Sequence, residues 1–481
     1  MIRMYTIKAE CVCVQSVNFK VLIILKLYGY LKCLRNNLKA PFSQGLNKYN
    51  SLQTFQFLRF GTFFLISILL AKVAMLYQHE YGLHLIGQYE NLMLVTSSLT
   101  FFWVSAICNT LIPYYNNSDE ETRKKLLFNT FVLLIAFSLL AAVVIVVLGR
   151  LKGKDVDLYN MFALVVLLNT PTYIADYIFY LNEKYKSLIR WGIITFLAHI
   201  LLLCIPLYFR QSLNLAINLL LVLSLVKFNY TIILLMKFST ISVNTRLMQE
   251  FMNKVWPYMF SILLAGSMEY INSYIIGYNF SEEEFAMFRY GARELPIFLI
   301  LANSLSNVYS GEIAKFNKDG LLEEGLEKFK RASQKLMRWL FPGTMFLMFL
   351  SPYLFKYAYN EQLIEGYRIF NIYLLLIIGR MIFPQTVIMG IMKSRVFYLI
   401  YSNYLIINCL LSFWFIYLFG ITGIAYATAI SFLVEKIMLA IYCKMEGIAF
   451  RQYTAVGEYL AFSALTIAVF YLSLQIEMPM P

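Results

Sequence analysis

Long apolar runs recur along the chain from Phe55 onward, each closed by a short polar connection. A helix needs roughly 20 mostly apolar residues to cross a hydrocarbon core about 30 Å thick, since it rises about 1.5 Å per residue. The pattern predicts spans over 55–78, 86–113, 126–148, 156–181, 188–208 and 212–237. It continues with 254–278, 285–310, 336–358, 366–391, 396–419, 421–444 and 455–474. The expected fold class is an all-α polytopic membrane protein without a sizeable soluble domain. Residues 1–54 form a basic lead-in, whose Phe19–Leu31 stretch is broken by Lys20 and Lys26. That stretch reads as an interfacial helix rather than a span, and it lacks the small-residue cleavage site of a signal peptide.

The connection 238–253 divides the chain into a first six-helix lobe, 55–237, and a second, 254–444. One further helix and a tail occupy 445–481, and a polar, charged loop is expected over 311–335. The two halves echo one another. Gly87-Gln88-Tyr89 opens the second span much as Ala286-Met287-Phe288 opens the eighth, an offset of 199, and Asn109 and Asn307 fall near the far ends of those spans. Duplicated halves imply two pseudo-symmetric lobes around a central cavity, an architecture that transporters use.

Composition agrees: 60% of residues are hydrophobic and 14% charged, against about 25% charged in soluble domains. The net charge of +14 does not mark a nucleic-acid binder, because the cations sit in alternate connections, as topology signals do. With the N-terminus inside, cytoplasmic connections hold Arg123, Lys124 and Lys125, then Lys184, Lys186 and Arg190, then Arg246 and Lys254. Lys315, Lys318, Lys328, Lys330 and Arg331 follow, then Lys393 and Arg395. Arg150, Lys152 and Lys154 fall outside, against the rule. The seven cysteines and three histidines show no metal-ligand spacing, so neither metal nor cofactor is implied.

Charges inside spans carry the candidate chemistry, because each costs about 2.5–3.5 kcal/mol at a helix centre on the insertion scale. Arg59, Lys72 and Asp176 lie near span ends, where a side chain can reach the interface. Glu269 and Arg293 lie twelve residues either side of a hairpin turn at Ser281 and so share a depth; they are expected to pair. Arg289 lies one turn before Arg293, and Pro296 predicts a kink with a freed carbonyl. Arg380, Lys227, Glu435 and Lys436 also fall near mid-depth. Cations outnumber acids among these residues, which suits an anionic headgroup.

From the ninth to the twelfth span the residues resemble a known family. Ser351-Pro352-Tyr353-Leu354-Phe355 closes one span, Pro384 to Gly390 (PQTVIMG) precedes Lys393-Ser394-Arg395, and Phe419 to Thr428 reads FGITGIAYAT. Phe288-Arg289-Tyr290-Gly291-Ala292-Arg293 through Pro296 is similar to the family's eighth-helix pattern. The family is the Wzx-type polysaccharide flippases of the MATE/MOP exporter superfamily. The resemblance covers about 55–475 and implies V-shaped lobes, alternating access and transport of undecaprenyl-pyrophosphate-linked oligosaccharide repeat units for O-antigen and related surface polysaccharides. It places the chain in the bacterial inner membrane among membrane lipids, with a polysaccharide polymerase and assembly proteins as partners and no catalytic residues. Related lipid flippases implicate cavity arginines on the first, second and eighth helices. Here the eighth offers Arg289 and Arg293 and the first Arg59, but the second has only Glu90. The alternatives are a cation-coupled small-molecule exporter and a membrane polymerase or glycosyltransferase. Acidic cavity residues would favour the first of these and long outer loops the second.

Overall fold

The computed structural model describes residues 48–475 apart from 78, 154, 295, 360, 394 and 395. The expected interfacial helix at Phe19–Leu31, and most of the basic lead-in, lie outside the described residues. The first half of the chain runs α1 (Lys48–Ala74), α2 (His79–Asn116), α3 (Glu120–Lys152), α4 (Val156–Asn169), α5 (Tyr173–Leu181), α6 (Tyr185–Tyr208) and α7 (Leu213–Phe238). The second half runs α8 (Thr245–Asn279), α9 (Glu282–Gly291), α10 (Pro296–Lys318), α11 (Leu322–Leu354), α12 (Gly366–Leu374), α13 (Leu376–Arg380) and α14 (Pro384–Gly390). It ends with α15 (Val396–Phe419), α16 (Ile421–Met445), α17 (Phe450–Tyr453) and α18 (Val456–Leu474). No strand occurs among the described residues.

Helical segments stand at all thirteen expected positions, but ten helices are long and apolar enough to span, or eleven when the two parts of α8, bent by 47°, are joined. The eighth position is broken between α9 and α10, and α10 carries Asn303, Ser304, Ser306, Asn307 and Ser310. The ninth, α11, begins with a charged half. Apolarity marks membrane thickness, whereas helices continue into polar flanks wherever their ends are capped. The expected polar loop 311–335 is therefore a helical hairpin in which only 319–321 is non-helical. Leu326, Phe329 and Met337 bury one face of α11 there at helical spacing. The 238–253 connection likewise shortens to 239–244, because Asn244 caps α8 by accepting from the Leu247 amide at 3.0 Å.

Three apolar cores hold the helices. One, from Phe55 to Met259, fills the first lobe and takes in Leu247, Phe251, Val255 and Met259 of α8. A second, from Ala302 to Tyr459, fills part of the second lobe. The third joins the halves: Ala71, Ala74, Leu83, Ile86 and Leu94 pack with Ile275, Phe285, Phe288, Tyr290, Phe355 and Phe370. This seam lies at the end of the molecule bearing the α1–α2 and α8–α9 turns, here termed the tight end. The other end carries the lysine- and arginine-rich connections and is termed the basic end.

Small residues let the backbones come close at the seam and in the hairpins. A Cβ on Gly87 would lie 2.8 Å from the Glu282 carbonyl carbon, across the seam. Gly420 turns the α15–α16 hairpin at φ +60°, and a Cβ on Gly423 would meet the Ile416 nitrogen at 2.9 Å. The recognisable FGITGIAYAT stretch is thus a tight helical corner. Neutral hydrogen bonds tie the second lobe: Asn272 donates to Thr428 at 2.8 Å and Asn371 to Ser473 at 3.0 Å, the latter fastening α18.

A polar face of α10 marks where water enters between the lobes, here termed the cleft. Asn303, Ser304, Asn307 and Glu312 are exposed on one side of α10, and so polar a stripe at membrane depth must face water rather than lipid.

Candidate functional site

The head of the cleft is built by the broken eighth segment. The α9 helix starts with a capping box, Ser281 receiving the Glu284 amide while the Glu284 carboxylate accepts from the Ser281 amide. It stops at Gly291, where a Cβ would sit 2.6 Å from the Gly366 carbonyl oxygen, and α10 resumes at Pro296. Proline cannot donate a backbone hydrogen bond, so the kink expected there is a full break. Arg293 and Glu294 lie in the break, and Arg293 Nε donates to the Arg289 carbonyl at 3.3 Å, taking up a carbonyl at the helix end.

The break changes the expected pairing. Equal depth assumed a continuous helix, and Arg293 instead turns away from Glu269. Its Nη2 donates to Glu90 Oε1 of α2 at 2.7 Å, and its guanidinium lies 4.7 Å from the Tyr290 ring centre. Arg289 Nε reaches the other Glu90 oxygen at 3.4 Å, while its Nη1 lies 3.7 Å from Glu269 and 3.3 Å from the Ser273 hydroxyl. Glu90 is thus held by two arginines from the opposite lobe, with 6% of its side chain exposed, whereas Glu269 is 74% exposed in the cleft. Arg293 also lines, with Glu294, Phe298, Tyr373, Leu374, Ile377 and Arg380, a small hollow of about 20 Å3. Arg380 hydrogen-bonds Glu294 there and lies 5.1 Å from the Phe432 ring centre.

The remaining candidates fall into separate places. Glu435 and Lys436 pair with each other at 3.0 Å, both side chains under 10% exposed, and the Lys436 amine also reaches Gln385 at 3.4 Å. In the first lobe Arg59 pairs with Asp176 at 3.0 Å, Trp191 donates to the same carboxylate at 3.1 Å, and Lys227 donates to Asn169 at 2.6 Å. The interfacial reading of Asp176 is corrected: it is buried and holds Arg59, which lies near the start of the apolar span Thr54–Ala74 with part of its side chain exposed. Lys72, in the last turn of α1, stays half-buried at the tight end.

Sequence reasoning noted Glu90 only as a missing arginine and passed over Glu294. The signal for Glu90 was the internal echo. Glu90 and Arg289 are 199 residues apart, the same offset as Gly87-Gln88-Tyr89 from Ala286-Met287-Phe288. Equivalent positions of two pseudo-symmetric lobes meet only near the axis relating them. Opposite charges at those two positions therefore announce a contact.

At the basic end, Thr110, Pro113, Tyr114, Asn117, Ser118 and Lys254 surround a further hollow of about 290 Å3. The Lys254 amine lies 4.8 Å from the Tyr114 ring centre.

Residues 75–367, more than half of the chain, match the family described as polysaccharide biosynthesis protein. The chain belongs to that family. Solved structures resemble this polysaccharide biosynthesis protein along most of its length. The lipid II flippase MurJ, in an inward closed conformation, matches at a TM-score of 0.62 and 16% identity, covering 87% of this chain and 93% of that one. A multidrug resistance MATE family transporter of the MOP superfamily, in an inward-facing conformation, matches at 0.55 and 14% identity, over 85% and 97% of the two chains. A MATE transporter from Vibrio cholerae matches at 0.52 and 13%, over 88% and 98%. These likenesses give this polysaccharide biosynthesis protein a multi-pass transporter fold. No curated protein matches the sequence significantly.

Proposed function

We propose that the protein is a flippase. It carries undecaprenyl-pyrophosphate-linked oligosaccharide repeat units from the cytoplasmic to the outer leaflet of a bacterial inner membrane by alternating access, and it performs no covalent chemistry. The observation that supports this most is the convergence of Arg289 and Arg293, from a broken membrane helix, on one oxyanion at the head of a water-lined cleft. Guanidinium groups match carboxylate and phosphate oxygens in geometry and charge. Outward movement of an anion also runs with an inside-negative potential, worth about 2.3 kcal/mol per charge per 100 mV. Arg293 and Arg380 border one hollow and provide the substrate-facing cations, whereas Glu435–Lys436 and Arg59–Asp176–Lys227 hold the lobes together internally.

Complementation of a deletion strain tests the reading. Arg289→Ala combined with Arg293→Ala should abolish surface polysaccharide while lipid-linked repeat units accumulate and the protein stays in the membrane. Normal surface polysaccharide from that double variant at equal protein level would refute the assignment. The exposed Glu269 carboxylate favours one second reading, export of cationic small molecules. Glu269→Gln that abolishes drug efflux but leaves polysaccharide intact would select it.

A further inference from the structure

Glu90 is the anion already in place where the proposed function needs one. It comes from α2 in the first lobe, and both its cations come from α9 in the second. Its carboxylate is nearly dry, with 6% of the side chain exposed, while Arg289 and Arg293 are 19% and 28% exposed. A ligand in the cleft can therefore reach the arginines without first reaching Glu90. The pair also lies beside the seam: Gly87, one turn before Glu90, abuts the Glu282 backbone, and Tyr290, next to Arg289, donates to the Ser67 carbonyl of α1 at 2.9 Å.

We propose that Glu90 is a resident counter-anion that a diphosphate displaces from Arg289 and Arg293, and that this displacement unlocks the seam. The inference rests on reading those arginines as the headgroup site. A carboxylate left buried without its cation is strongly destabilised. Once displaced, Glu90 must reach water, and α2 can deliver it there only by parting from α9. Binding at the arginines and opening at the tight end are then one event. The same arrangement selects the ligand. A monoanionic headgroup exchanges one carboxylate for an equivalent and gains nothing, whereas a diphosphate offers several charged oxygens to both guanidinium groups at once.

The test uses the purified full-length protein with inorganic pyrophosphate and inorganic phosphate as probes. Binding is read by calorimetry, and seam opening by maleimide labelling of an Ala71→Cys reporter in an otherwise cysteine-free chain, Ala71 being fully buried in the seam. Glu90→Gln should bind pyrophosphate about tenfold more tightly or better, the worth of one charge-assisted hydrogen bond no longer opposed. It should also label faster without ligand, and pyrophosphate, but not phosphate, should speed labelling of the parent. Equal pyrophosphate affinity in parent and Glu90→Gln, with Arg293→Lys weaker than both, overturns the displacement and leaves the headgroup site standing. Pyrophosphate binding to none of them overturns both. If Glu90→Gln does not fold, Glu90→Asp, which keeps the charge but shortens its reach, must show the same gain or the proposal fails.

Discussion

The seam between the lobes is close enough for a single methyl group to disturb it. Gly87 of α2 faces the start of α9, and a Cβ there would lie 2.8 Å from the Glu282 carbonyl carbon and 2.9 Å from its Cβ. Carbon atoms in contact settle about 3.5–4.0 Å apart, so Gly87→Ala requires the helices to part by about 0.7–1.2 Å. The obstacle is backbone, which no rotamer change removes. Overpacking of this kind costs about 1–3 kcal/mol. The cost falls on the sealed state alone, because once the lobes separate the methyl group has room. A bias of about 1–3 kcal/mol shifts a two-state ratio by roughly 5- to 150-fold. With the Ala71→Cys reporter, labelling from the tight end by a membrane-impermeant maleimide should accelerate within that range, and polysaccharide export should fall. Gly192→Ala is the internal control. Its Cβ would crowd the Phe55 ring, 2.7 Å from Cε2, between α1 and α6 inside one lobe. It should lower the amount of folded protein without changing the labelling rate of what folds. Identical labelling in Gly87→Ala and parent would refute the assignment of this contact to the gate.

Breaking the Glu90 cluster should be asymmetric. Arg293→Gln leaves a dry carboxylate with Arg289 alone and should destabilise the detergent-solubilised protein by about 2–4 kcal/mol, while Glu90→Gln, which frees water-accessible arginines, should cost far less. Thermal melting of both, with the double variant closing a cycle, measures the difference; equal losses would show the cluster is not held as described. Arg59→Gln should lower the melting temperature because it strips the buried Asp176 of its partner, whereas Glu269→Gln, at an exposed site, should stay within about 0.5 kcal/mol. Gly423→Val should prevent the α15–α16 corner from closing, read as loss of the monodisperse peak in size-exclusion chromatography; a normal peak would mean the corner tolerates a side chain.

Spans and their order were legible because membrane insertion demands apolar length, and that demand is written residue by residue. Helix ends were not, because polar flanks of α2, α3 and α11 continue as helix beyond the hydrocarbon. The break at Pro296 was legible, since proline acts locally. Its consequence was not: the non-helical residues 292–294 rotate Arg293 out of register, and rotation is a property of backbone angles the pattern does not carry. The pairing of Arg59 with Asp176 was not legible for a related reason. Their contact spans 117 positions and depends on how α1 and α5 pack, so each looked like an isolated charge with an escape to the interface.

The charges of the cleft become intelligible once symmetry is added. Two lobes with like sequence, meeting about an axis, would set identical side chains against each other wherever equivalent positions touch. Two arginines or two glutamates there would repel in a poorly hydrated site, and two apolar residues would leave nothing for an anion to bind. Glu90 opposite Arg289 resolves the conflict, setting an acid of the first half against a base of the second. Glu90 and Glu269 together balance Arg289 and Arg293 without substrate, and both cations stay on one lobe, the lobe whose helix is broken. An oxyanion entering from the basic end thus finds arginines that are paired, partly wet and movable, which is the condition for binding to do mechanical work on the seam.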